Sequence, residues 1–101
     1  MNDNTIQYNT NKDTLLIFKN GKFYNSYKDD AIILNYLFGY KILKDDKSGF
    51  PETAFQKVIN TLEDKKIDYQ VIFKDYNPIS KKYCNFNNYY KILKVIENEL
   101  Q

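Results

Sequence analysis

Residues 14–18, Thr14 followed by four apolar side chains in a row, have the pattern of a buried strand. Asn20-Gly21 follows, a pair suited to a two-residue type I′ turn, where both central residues take positive φ. The pattern then alternates. Phe23, Asn25 and Tyr27 fall on one face, Lys22, Tyr24 and Ser26 on the other. Together these segments predict a hairpin turning at Asn20-Gly21.

A helix is predicted from Lys28 or Asp29 to Phe38. Acidic residues at its start complement the macrodipole, and Gly39 suits a left-handed end. Ala31, Ile32, Ile33, Leu34, Tyr36, Leu37 and Phe38 make it apolar nearly all round, broken only by Asn35. Such a helix needs cover on more than one side, from a partner chain or from the C-terminal segment.

Residues 40–43 predict a third strand, and residues 44–48 a charged loop. Pro51 fixes the entry to a second helix over residues 52–65. Its stripe is Phe55, Val58, Ile59 and Leu62 at i, i+3, i+4 and i+7. Residues 68–73 alternate Tyr69, Val71 and Phe73 against Asp68, Gln70 and Ile72, a fourth strand. Residues 75–85, with Pro78, form a connector. The last helix starts after Asn87 or Asn88, either of which can cap it, with Tyr89, Ile92, Leu93, Ile96 and Leu100 as its stripe. Residues 1–13 are polar and predicted loose, with a short extended piece at 6–8.

The fold class is therefore α+β: one domain over residues 1–101, a mixed, roughly four-stranded sheet packed with helices and extended by a C-terminal helix. At 43% hydrophobic and 17% aromatic residues, the chain can bury a modest core and is not a disordered protein. No run is long and apolar enough for a membrane span, and residues 1–11 lack the apolar region of a secretory signal. The expectation is a cytoplasmic protein.

A net charge of +2 is too small to argue for nucleic acid alone. All 15 basic residues are lysine, so bidentate arginine readout of guanine is out. Nucleic-acid binding would rest on lysine–phosphate contacts, hence on shape and charge. With no histidine and the single cysteine Cys84, the usual zinc sites, internal disulfides and histidine-assisted nucleophiles are excluded. Cys84 reads as a small packing residue. Asp29 and Asp30 read as helix N-terminal acids, and Asp45 and Asp46 as a solvated charge cluster. The three glycines mark turns and a cap, with no phosphate-cradling loop. No cofactor, no metal and no enzymatic activity is expected.

The stretch Gly21-Lys22-Phe23-Tyr24-Asn25 with Asp29-Asp30-Ala31 resembles the start of the N-terminal, mismatch-recognition domain of the MutS family. That pattern is a hydrophobic strand, Gly-Asp-Phe-Tyr-Glu, an aromatic strand end and an acidic Asp-Ala helix start. Leu37-Phe38-Gly39-Tyr40, Gly49-Phe50-Pro51 and Tyr69-Gln70-Val71-Ile72 follow in the same order. The resemblance covers residues 14–74. Residues 75–101, a connector and a C-terminal helix, lie beyond it, where that family continues into a different domain.

The resemblance implies DNA binding. Phe23 takes the position of the family's stacking Phe. Asn25 takes the position of the Glu that hydrogen-bonds the mispaired base, an amide without charge or titratable proton. Lys22 replaces an Asp, and Lys19 and Lys28 flank the hairpin as phosphate contacts. Lys41, Lys44 and Lys47 are further rim candidates. Phe23 also has a plainer reading as a core aromatic of a half-buried strand. Tyr83, Phe86, Tyr89 and Tyr90 with Lys81, Lys82 and Lys91 imitate a basic–aromatic patch, although packing of the last helix accounts for the aromatics.

Two functions follow. One is a stand-alone DNA-binding domain for duplex DNA, mispaired or deformable, using an aromatic wedge and lysines. The alternative is a non-enzymatic protein-interaction module that kept the fold and lost mismatch reading. It would bind a protein partner or itself through the first or last helix. The apolar first helix, Asn25 in the Glu position and the missing clamp and ATPase regions favour it.

Overall fold

A computed structural model describes residues 13–99. The extended piece expected at 6–8 and the stripe residue Leu100 lie outside the described residues. The elements are β1 (Leu15–Asn20), β2 (Phe23–Tyr27), α1 (Asp29–Phe38), β3 (Lys47–Pro51), α2 (Phe55–Asp64), β4 (Tyr69–Ile72), β5 (Ile79–Lys81) and α3 (Tyr89–Glu99). The strands form one sheet in the order β3-β2-β1-β4-β5. β1 and β4 run parallel, and every other pair is antiparallel.

The α+β class holds, with five strands where the hydrophobic pattern predicts about four. Tyr69, Val71, Leu15, Ile17, Tyr24 and Phe50 share one sheet face. They meet Ile33 and Leu34 of α1, Val58, Ile59 and Leu62 of α2, and Ile96 of α3 in one core. Each such side chain stabilises the fold by about 1.5–3 kcal/mol relative to exposure. Phe55 stacks on Tyr24 with centroids 4.6 Å apart, so the predicted stripe of α2 is the buried one.

Three local readings are corrected. Phe23 pairs with Asn20, so the two loop residues are Gly21 and Lys22, not Asn20 and Gly21. Gly21 has φ 62° while Lys22 lacks positive φ, the pattern of a II′ turn with Gly first. Next, residues 40–43 are not a strand. Ile42 and Leu43 are exposed, and Tyr40 stacks between Phe38 and Phe50 at 5.5 and 5.6 Å. The chain reverses through a 3-10 turn at Lys44–Asp46, and the third strand begins at Lys47, inside the expected loop. Ser48 and Phe50 supply its buried side. Finally, the connector contains β5, a three-residue edge strand on β4 with every residue exposed.

The helix α1 is covered from within the chain. Ala31, Ile33 and Leu34 are buried, and α3 packs along it. At the outer end the Tyr36 hydroxyl donates to Glu99 Oε2 at 2.6 Å. Asn87 Oδ1 accepts from the N–H groups of Asp68 and Tyr89 at 2.9 and 3.1 Å, so the predicted cap also ties α3 to the start of β4.

Asp30 braces three elements at once and is 1% exposed. Its Oδ2 accepts the Leu16 N–H at 3.0 Å, and its Oδ1 accepts the Tyr89 hydroxyl at 2.7 Å. The Ser26 hydroxyl donates to the Leu16 carbonyl at 2.7 Å. Side chains thus satisfy both backbone groups of Leu16. Cys84, read as a packing residue, is exposed instead, with φ 55° at the first position of a 3-10 turn.

Candidate functional site

The site grows from the alternation of β2. Tyr24 points into the core, so Phe23 and Asn25 lie on the sheet face away from the helices. Phe23 stands at the strand end opposite Pro51 and is 56% exposed. A core role for it is thereby removed. Asn25 pairs with Phe18 on one side and Gly49 on the other, and only 9% of it is accessible.

Phe23 and Asn25 line an open cleft of about 390 Å³ with Asn20, Lys41, Leu43, Lys47 and Gly49. Its lining thus combines an aromatic ring, an amide and two lysines. No buried side-chain nitrogen or oxygen among the described residues lacks a hydrogen-bond partner. Asn25 makes no side-chain bond to a described residue, so its amide reaches the surface through this cleft.

The three lysines placed with the hairpin differ in setting. Lys22 occupies the exposed turn beside Phe23. Lys19 pairs with Glu52 Oε2 at 3.1 Å and lies 5.2 Å from the centroid of the Tyr24 ring. Burial raises the Tyr24 hydroxyl above its ordinary value of 10.0, and Lys19 partly offsets the rise. Lys28 sits at the opposite end of β2, before α1, with its N–H bonded to the Asp46 carbonyl. The cleft therefore joins Phe23 and Asn25, with Lys22 adjacent, and excludes Lys28.

Asn20, Gly49, Lys41 and Lys47 complete the cleft. Lys41 and Lys47 were legible as rim candidates. Asn20 and Gly49 carry turn signals in the sequence, and only the cross-strand register places Asn20 opposite Phe23 and Gly49 opposite Asn25. Of the four aromatics in the C-terminal patch, Tyr89 is buried and Tyr83 half-buried, whereas Phe86 is 71% exposed with Lys66 Nζ 5.9 Å from its ring centroid. Among the described residues, no group of three or more acidic, cysteine or histidine side chains is placed to hold a metal. No described helix is long and apolar enough to cross a membrane.

Fold and cleft together define a small α+β domain that presents an aromatic ring beside an amide at one end of a mixed sheet. The chain belongs to the MutS domain I family, whose model matches residues 6–96. The match runs beyond residues 14–74 to take in the connector and most of α3. It makes the chain a mismatch-recognition-like domain. A search of curated proteins finds no match.

Proposed function

We propose that this domain binds duplex DNA at mispaired or deformable steps, with Phe23 as the wedge. The observation that carries the reading is the exposed Phe23 ring in one cleft with the Asn25 amide, in a chain of the MutS domain I family. An apolar side chain at a strand end can enter a weakened base step, where unstacking costs least. The Asn25 amide offers a donor and an acceptor to a base edge without adding charge. Lys41 and Lys47 line the cleft, Lys22 stands beside Phe23 in the turn, and these three supply phosphate contacts; Lys19, held by Glu52, contributes less. No step of this function needs a cofactor or a chemical reaction.

The protein-interaction alternative drew on an apolar helix in need of cover, and α3 supplies that cover. The test is fluorescence anisotropy with matched, mispaired and bulged duplexes at low and moderate salt. The expected result is tighter binding to the mispaired and bulged duplexes, weakening as salt rises. Absence of binding to every duplex at low salt would overturn the reading.

A further inference from the structure

Gly49 lies directly across the β2–β3 ladder from Asn25. A Cβ built on Gly49 would overlap Asn25 Oδ1 and come within 2.7 Å of the Tyr24 carbonyl oxygen. No other glycine in the chain is crowded in this way: a Cβ at Gly21 or Gly39 meets nothing within 4 Å. The Asn25 amide therefore occupies the space that a side chain at position 49 would fill. It lies over the β3 backbone, in the cleft that Phe23 and the two rim lysines border.

We infer that Gly49 is a positioning residue for the cleft. By having no side chain, it leaves room for the Asn25 Oδ1 against β3 and so keeps the amide in the cleft beside Phe23. The reasoning is steric. Among the described residues Asn25 has no side-chain hydrogen-bond partner to orient it, so packing against the Gly49 backbone sets its direction. Any side chain at 49 pushes the amide out of that seat, and a base edge would then meet a misplaced group. Asn25 makes the base contact, and Gly49 acts only through it. The inference rests on the DNA-binding reading for its purpose, but the seating of the amide can be tested without DNA.

The first experiment uses the unaltered protein. Nuclear Overhauser contacts are measured between the Asn25 side-chain amide protons and the Gly49 α protons, with the order parameter of the Asn25 side chain. Close contacts and a rigid amide are expected. An amide averaged like that of a surface asparagine, without contact to Gly49, would overturn the inference.

The second experiment is a double-mutant cycle on the preference for a mispaired over a matched duplex. Gly49→Ala and Asn25→Ala should each lower that preference by roughly tenfold, the size of a base-edge contact. Gly49→Ala in the Asn25→Ala background should lower it no further. Using the ratio of two duplexes separates positioning from any general loss of fold through the Tyr24 carbonyl. An equal loss from Gly49→Ala in both backgrounds would mean that Gly49 acts on structure alone. If the unaltered protein prefers no duplex, the DNA reading fails, and the rigid or averaged state of the amide still decides the positioning role.

Discussion

The Tyr89 hydroxyl donates to Asp30 Oδ1 at 2.7 Å and links residues 59 positions apart in the chain. It fastens α3 to the start of α1, under the strand that carries Leu16. Tyr89→Phe keeps the ring and deletes this bond. The expected loss is about 1.5–3 kcal/mol near neutral pH, where the acceptor carries charge for part of the time. Urea unfolding measures it. A loss indistinguishable from zero would mean that this bond adds nothing to the hold on α3.

Burial pushes the Asp30 carboxyl up from its ordinary value of 3.8 to about 7; the Leu16 N–H and the Tyr89 hydroxyl oppose the rise, and Asp29 adds to it. The folded domain then keeps a proton that the unfolded chain has released. Stability should fall by up to a few kcal/mol as pH rises from about 4 to about 7, then flatten. Asp30→Asn preserves an acceptor for Leu16 and removes the titration. Melting curves across this range should slope for the natural protein and lie flatter for the variant. Equal slopes would remove Asp30 as the source.

Phe23 and Phe50 stand one residue out of register across the β2–β3 pair, on opposite faces of the sheet, and should respond differently to truncation. Phe23 is mostly exposed, so Phe23→Ala should change stability by no more than about 0.5 kcal/mol. Phe50 is 1% exposed and stacks on Tyr24 at 5.3 Å, so Phe50→Ala should cost about 3–5 kcal/mol. Denaturant midpoints distinguish the two. A large stability loss for Phe23→Ala would assign that ring to packing.

The Glu52 carboxylate holds the Lys19 ammonium at 3.1 Å. Glu52→Gln should raise duplex affinity and steepen its salt dependence, since it frees a cation near the cleft end of the sheet. Stability should change by less than about 1 kcal/mol, as for most surface pairs. Lys22→Ala should do the reverse, reducing the salt slope by about one unit. An unchanged slope for Lys22→Ala would place the DNA elsewhere.

Much of this architecture was legible because local pattern and tertiary role agree. The hairpin, the stripe of α2, the alternation of β4 and the cap before α3 each follow from spacing that the core then uses. β3 was hidden because its pairing comes from β2, not from its own sequence. Residues 47–51 carry a lysine, a serine, a glycine and a proline, while the apolar run just before them turns outward at Ile42 and Leu43. β5 has three exposed residues and no hydrophobic signature.

At the site, alternation alone put Phe23 and Asn25 on one face, but it could not say which face is covered. Phe18 and Asn25 on that face are buried, and Phe23 is exposed because it stands at the end of β2 next to the turn. Asp30 passed for a helix-dipole acid, yet it stands at i relative to Ile33 and Leu34 at i+3 and i+4, on the buried stripe. That spacing was the available signal of burial. Its partners Leu16 and Tyr89 come from distant segments, beyond the reach of any local pattern.

DNA binding of the kind proposed requires Phe23 to enter the base stack. The most direct measurement is the emission of 2-aminopurine placed next to a mispair, titrated with the natural protein and with Phe23→Ala. Stacking quenches this base, so insertion of the ring should raise the emission with the natural protein and leave it low with the variant. An equal rise with both proteins, or no rise at saturating natural protein, would contradict the wedge.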